Sequence, residues 1–262
     1  FSKNHYFYFM KNPKKILEEN YLKFNKKDFI KDDPISIPHK FSTNQDIEIM
    51  AFFASILAWG LRKTIINKCN LLIDLFENKP YDFIMNHEEE DLKRFLGFKH
   101  RTFNTTDLLY FIAFLKFHYT NHESLEDAFL IGLNPKDATV ENSLRAFEEY
   151  FCSLEYFPHR TRKHIASPAR NSACKKLNMF LRWMVRDSST GVDFGIWKNI
   201  KTSQLLMPLD VHVDRQARIL GLITRKQRDF KTVLELTKNL KKYDKNDPVK
   251  YDFALFGMGV AG

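Results

Sequence analysis

The scarcity of helix breakers is the strongest constraint on this chain. Nine Gly and nine Pro are spread through 262 residues. They fall between long segments whose apolar residues recur every three or four positions, the spacing of a helix that buries one face. After Thr43 or Asn44 as a cap, with Gln45 and Asp46 in the first turn, Ile47, Met50, Ala51, Ala54, Ile56 and Leu57 follow at that spacing. A second helix continues through Ile65, Ile66, Cys69, Leu72 and Leu75. Further helices are predicted around 80–86, 88–96, 105–119, 123–131, 140–152, 173–186, 211–220, 229–242 and 248–259. Residues 1–31 mix aromatics with Lys11, Lys14 and Lys15 and predict one or two short helices, stopped by Asp32-Asp33-Pro34 and Ile37-Pro38-His39. The fold class is all-α, with no internal repeat and no low-complexity tract.

Hydrophobic residues make up 44% of the chain and 25 residues are Phe, which excludes a disordered chain and supplies a sizeable core. Cys69, Cys152 and Cys174 are scattered and odd in number. They lack zinc spacing and cannot furnish the four thiolates of an iron–sulfur cluster, so they are expected as free thiols in a reducing cytoplasm. No apolar run approaches the roughly 18 residues of a membrane span. The chain opens on Phe1, as a piece of a longer protein would, and does not read as a secretory leader. Lys plus Arg number 41 against 32 Asp plus Glu, giving +9. That excess fits a polyanion binder, and equally an ordinary basic surface. It is concentrated in Phe157-Pro158-His159-Arg160-Thr161-Arg162-Lys163-His164.

Two segments carry reactive groups. In the helix after Ser172-Ala173-Cys174, Leu177, Phe180, Leu181 and Met184 form a core stripe, while Lys175, Met179, Arg182 and Arg186 share another face. Lys175 and Lys176 stand in the first turn, where the helix dipole and a like-charged neighbour both favour the neutral amine. A neutral amine is a nucleophile and forms Schiff bases. The plainer reading is a solvated cationic face. Further on, Asp210 follows Pro208-Leu209 where a helix should begin. It is either a plain N-cap or a carboxylate aimed into a cleft. His212, Arg215 and Arg218 add donors suited to phosphates.

Lys175 heading an apolar helix, then Leu209-Asp210-Val211-His212 followed by Arg and Leu220-Gly221, resembles the catalytic segment of the helix-hairpin-helix DNA glycosylase superfamily, which includes endonuclease III and the 8-oxoguanine glycosylases. Over residues 30–260 the chain also resembles a family of uncharacterised bacterial proteins grouped near these enzymes, in phrases such as Asp33-Pro34-Ile35-Ser36-Ile37-Pro38-His39, Asn178-Met179-Phe180-Leu181-Arg182-Trp183 and Tyr251-Asp252-Phe253-Ala254-Leu255-Phe256-Gly257. The resemblance implies two helical lobes, 44–186 and 1–43 plus 187–262, with a hairpin-like segment near 169–176 and a DNA cleft between lobes. It implies a base-excision glycosylase with abasic lyase activity, Lys175 as nucleophile and Asp210 as its carboxylate partner. An oxidised purine in duplex DNA is the implied substrate, and a monomer is expected. Aligning Asn178 with the polar residue of the endonuclease III helix selects Lys175; placing Phe180 in the pocket selects Lys176.

The loop holding Trp59 occupies the slot that inserts a side chain into the duplex, so Trp59 is read either as stacking on a base or as core. Like the archaeal 8-oxoguanine glycosylases, the chain has a long gap between Lys and Asp. It also has their late Asp and aromatic four residues apart, Asp252 and Phe256, and the residue four after the lysine, Met179. These four residues are the expected base pocket. Arg62, Arg160, Arg162, Lys163, Arg170, His212, Arg215 and Arg218 are the expected DNA contacts. The hairpin departs from the family pattern: Ala169-Arg170-Asn171-Ser172-Ala173-Cys174 has no glycine, although Asn tolerates a left-handed backbone. Neither a metal nor an organic cofactor is expected, with room left for a monovalent cation at the hairpin. The alternatives are a DNA-binding protein that keeps the fold without catalysis, and a helical interaction module whose charge is incidental.

Overall fold

The computed structural model describes residues 12–187 and 190–261. The expectation of helix within the first eleven residues lies outside them. The described chain is helical apart from one small hairpin, and it divides into two compact units. Residues 30–135 and 141–166 form one unit; residues up to 29, 136–140 and 167–262 form the other.

The first unit contains α2 (Asn44–Leu57), α3 (Arg62–Leu75), α4 (Pro80–Asn86), α5 (Thr105–Asn121), α6 (Glu126–Leu130) and α7 (Glu141–Phe151). Every residue of α2 from Ile47 to Leu57 is buried. Phenylalanines fill the space around it: Phe52 stacks on Phe111 at 5.4 Å, Phe53 lies 5.7 Å from Phe76, and Phe129 stacks on Phe147 at 4.0 Å. A buried carboxylate in such a core must be fully bonded. Glu48 accepts hydrogen bonds from the Tyr119 hydroxyl at 2.8 Å, the Ser124 hydroxyl at 2.6 Å and the Leu125 amide at 2.9 Å. Thr43 stands at the N-cap of α2 as expected, but its hydroxyl bonds Asp46 rather than a backbone amide.

The segment predicted as a helix around 88–96 is a 3-10 stretch over Glu89–Phe95. A two-stranded hairpin follows that the periodicity did not foresee, β1 (Lys99–His100) and β2 (Phe103–Asn104), with Lys99 opposite Asn104. Each strand is two residues long, too short to show an alternating pattern.

The second unit contains α1 (Pro13–Phe24), α8 (Lys175–Val185), α9 (Val211–Ile219), α10 (Phe230–Lys241) and α11 (Tyr251–Ala261). Thus α8, expected with the central lobe, belongs with both ends of the chain. The glycines of α11 explain its close neighbours. A Cβ at Gly257 would lie 2.3 Å from the Phe24 ring of α1. At Gly259 it would lie 2.7 Å from the Cβ of His212 and 3.1 Å from its Cα, so the backbones of α9 and α11 nearly touch. Backbone cannot swing aside as a side-chain tip can. Gly259→Ala should therefore destabilise the protein by about 1–3 kcal/mol, the usual cost of overpacking, measured as a lowered urea midpoint with unchanged m-value.

Candidate active site

The site is assembled within the second unit around the start of α8. Leading into it, Pro168–Arg170 make one 3-10 turn and Asn171 adopts the left-handed conformation at φ 53°. This is the backbone its residue type allowed. The Asn171 side chain donates to Asp229, the N-cap of α10, at 3.2 Å, and its carbonyl accepts from the Phe230 amide at 3.2 Å. Cys174 is left-handed too, at φ 50°, and is the N-cap of α8. Nothing in its residue type announced this.

Lys175 and Lys176 are the first two residues of α8, and both are half-buried. Burial, helped by the charge of Lys175, pulls the Lys176 ammonium down to about 8. Phe180, one turn beyond Lys176, is fully buried and meets Trp197 edge-on at 5.2 Å, so that face of the helix is core.

Lys175 begins the other face, with Met179, Arg182 and Arg186. The plainer reading made this a solvated cationic face, and the structure overturns that. Met179 is 9%, Arg182 3% and Arg186 2% exposed. A guanidinium keeps its charge under all relevant conditions, so it is buried only where carboxylates meet it. Arg182 pairs with Asp252 of α11 through Nη1, lies 3.3 Å from Asp193 Oδ1 through Nε, and stands 4.4 Å over the Phe253 ring. Arg186 reaches Asp247 at 2.8 Å, Asp193 at 3.0 Å and the Tyr21 hydroxyl at 2.8 Å. Burial works against the Arg186 cation, but Asp247 and Asp193 raise its pKa above the ordinary value.

Asp210 is the N-cap of α9. Its Oδ1 accepts from the amides of His212 at 2.8 Å and Val213 at 2.9 Å, while Oδ2 accepts no hydrogen bond among the described residues. Asp252 is the point at which the separate segments meet. Burial drives its carboxyl up to about 7 against the pull of Arg182. The charges of Asp210 and Asp193 push it further up and that of Lys175 draws it down. One turn on from Asp252, Phe256 is half-buried, with its ring edge-on to His212 at 5.8 Å and to Phe29 at 6.1 Å.

Several expected DNA contacts have partners inside the protein. The Gly259 carbonyl hydrogen-bonds with His212 Nδ1 at 2.9 Å and accepts from Arg215 at 2.6 Å. Arg218 is clamped by Asp214 at 2.8 Å and by the carbonyls of Arg225 and Lys226. In the first unit, Arg160 bonds Asp107 at 2.5 Å, Asn104, and the Thr102 carbonyl at 3.1 Å. Asp107 is fully buried, which opposes its charge, yet the His164 ring at 3.2 Å and hydrogen bonds from the Asn104 amide and the Thr161 hydroxyl hold it at about 2. Arg162 lies 3.5 Å from Glu148 and 6.0 Å over Phe157. Lys163 and Arg170 are exposed, and Arg62 opens α3.

Trp59 is not core. It is 53% exposed in the turn between α2 and α3, beside Leu61 at 73%. Gly60 turns the chain there at φ 110°. The Arg101 guanidinium lies 5.7 Å from the Trp59 ring, and the Trp59 carbonyl accepts from His100 at 3.2 Å. Sequence reasoning missed Asp193, which lies in the segment 187–204 that has no periodicity. It also missed the pairing of Arg182, although it had put that residue on the Lys175 face.

The fold and site define an all-α protein with a first-turn lysine, a helix-capping aspartate and a buried, arginine-held carboxylate. The chain belongs to the family described as protein of unknown function (DUF2400), whose sequence model matches residues 33–261. No curated protein and no solved structure matches the chain. Among the described residues no helix is long and apolar enough to cross a membrane, and no three His, Cys, Asp or Glu side chains gather to hold a metal ion.

The raised pKa of Asp252 has a direct consequence for stability. In the unfolded chain this carboxyl ionises near 3.8, whereas in the folded protein it holds its proton up to about 7. Between those values the folded state binds the extra proton, so stability falls as pH rises through the window and levels off above it. Asp252→Asn removes this dependence. Thermal melts between pH 4 and 7 should show a shallower loss of Tm for the variant than for the wild type.

Proposed function

We propose that the protein is a DNA glycosylase of the helix-hairpin-helix type with abasic lyase activity, in which Lys175 is the nucleophile and Asp210 the carboxylate beside the sugar. The observation that carries this reading is the packing that ties three segments together: the helix headed by Lys175 is bonded to α11 through Arg182 and Asp252, and α11 packs at Gly259 against the helix that Asp210 caps. Cleaving an N-glycosidic bond builds positive charge on the sugar, and a fixed anion in a dry site stabilises it. Asp210 suits that task because two helix amides hold one of its oxygens and leave the other open. The packing of the Lys176 face against core favours Lys175 as the residue that meets the sugar, even though Lys176 is the more easily deprotonated.

A target base must leave the stack before it can react, at a cost of a few kcal/mol. Half-buried Phe256 and the edge of buried Met179 offer surfaces against which an extruded base can rest. In the first unit by itself, exposed Trp59 and Leu61 form an apolar turn, with Lys63 and Arg101 as cations of the kind that meet DNA. Duplex DNA is the partner and an oxidised purine the proposed target.

The test is borohydride trapping over a panel of lesion and abasic duplexes. Wild-type protein should trap through an imine. Lys175→Gln should abolish trapping and strand cleavage without loss of duplex binding, and Lys176→Gln should still trap. Absence of trapping by wild-type protein on every duplex would leave a DNA-binding protein without catalysis as the better account. Asp210→Asn should slow base release strongly and also cost about 0.5–2 kcal/mol of stability, because it weakens the α9 cap. A melt must therefore accompany the rate. Duplex binding should weaken steeply with salt as counterions are released, and binding that stays flat across salt would count against any DNA role.

A further inference from the structure

The loop over residues 221–229 joins α9 to α10, and its polar groups are bonded to its own neighbours. Arg218 of α9, expected as a DNA contact, is committed inside the protein. Asp214 holds it at 2.8 and 3.0 Å, and it donates to the carbonyls of Arg225 and Lys226. Glu235 of α10 accepts from the Thr224 amide at 2.9 Å, the Thr224 hydroxyl at 2.6 Å and the Arg225 amide at 3.3 Å. Thr232 donates to the Gln227 carbonyl at 2.6 Å. Arg225 pairs with Asp229 at 2.8 Å and donates to Thr232 at 3.1 Å. A loop bonded in this way has little conformational freedom left to lose when a partner binds.

That bonding sorts the charges. The carboxylates of Asp214, Asp229 and Glu235 are engaged within it. Lys226, Arg228 and Lys231 are exposed, and among the described residues no carboxylate pairs with them. The loop is also joined to the turn that leads into α8. Asp229 Oδ2 accepts from the Asn171 side chain at 3.2 Å, and the Asn171 carbonyl accepts from the Phe230 amide at 3.2 Å. Exposed Arg170 stands next to Asn171 in the chain. Cations far from the hairpin-like segment in sequence are thus carried on a loop that is bonded to it.

Resting on the proposed function, we infer that this braced loop is a surface for the phosphates of duplex DNA, with Lys226, Arg228 and Lys231 as the contacts and Arg218 bracing the loop from α9 without touching the duplex. A cation held on an ordered loop neutralises a phosphate and releases its counterion. Contacts of this kind carry no sequence preference, but they set the register of a duplex on the protein. Asn171 stands four residues before Lys175, so a register set at the loop is passed along a short, bonded path to the head of α8.

The experiment measures binding of the full chain to an abasic duplex between about 50 and 200 mM salt. The triple variant Lys226→Gln, Arg228→Gln, Lys231→Gln should bind about tenfold more weakly at the low-salt end. Its slope of log affinity against log salt should be shallower by about 2–3, as three lost phosphate contacts require. The control Lys14→Gln, Lys26→Gln, Lys31→Gln removes the same charge from exposed positions elsewhere and should change the slope by less than about 1. A loop variant that keeps the wild-type affinity and slope overturns the inference, and so do equal losses in the two variants. A second measurement needs no variant and decides the matter if the loop variant does not fold. Under brief acetylation of wild-type protein, read by mass spectrometry, the duplex should protect Lys226 and Lys231 and leave Lys14 as reactive as before; equal reactivity with and without duplex overturns the inference. Arg218→Gln should speed trypsin cleavage after Lys226 and Arg228 in the free protein, which loss of a mere DNA contact would not do, and unchanged cleavage removes the bracing role. Wild-type protein that binds the duplex through this loop but traps on no lesion removes the proposed catalysis and leaves the surface standing. Wild-type protein that traps while the loop variant binds normally removes only this inference, and absence of duplex binding removes both.

Discussion

The buried guanidinium of Arg182 is the interaction on which the second unit depends. Moving such a cation out of water costs several kcal/mol, and Arg cannot escape by losing its proton. It needs anions from outside its own helix, and they come from two directions, Asp193 from the irregular stretch after α8 and Asp252 from the first turn of α11. Each partner fixes a piece of architecture. Asp193 ties the loop to both Arg182 and Arg186, so that loop is a bracket rather than a spacer. Asp252 sets the register of α11 against α8, and Phe253 beside it supplies the ring face. The near contact of α9 and α11 at Gly259 then carries that register to Asp210 at the head of α9. The positions of Lys175, Asp210 and Asp252 thus share one electrostatic origin.

Much of this was legible in the sequence, because helices with an apolar face write their period into the chain. The bounds of α2, α3, α4 and α5 lie within a residue or two of the periodic segments. Asp210 read as an N-cap and is one, and Asn171 read as able to turn left-handed and does. The losses have physical reasons. The β1–β2 hairpin is too short to show alternation. The 3-10 stretch at Glu89–Phe95 has a tighter repeat than the helical template applied to it. The left-handed Cys174 has no compositional mark. The burial of Arg182 and Arg186 was hidden because a cationic stripe reads as solvated until its counter-charges are located, and those lie in distant or aperiodic segments.

The same reasoning changes what the formal charge means. A surplus of nine positive charges describes the whole chain, not a surface. Arg182 and Arg186 are sealed inside, and Arg160 and Arg218 are bonded to neighbouring carboxylates and carbonyls. Exposed lysines remain along both units, among them Lys14, Lys26, Lys31, Lys63, Lys163 and Lys231, and Arg101 lies against the exposed Trp59 ring.

The capping role of Asp210 has an evolutionary consequence for the proposed function. One oxygen holds two helix amides, so folding alone is enough to retain an aspartate there. Asp252 is under a similar hold, since losing it would strand the Arg182 charge. Among the described residues Lys175 makes no cap and no ion pair. A descendant that lost catalysis would keep both carboxylates for structural reasons and let the lysine drift. On the proposed function, the residue at the head of α8 is therefore the one whose identity would separate working copies from silent ones.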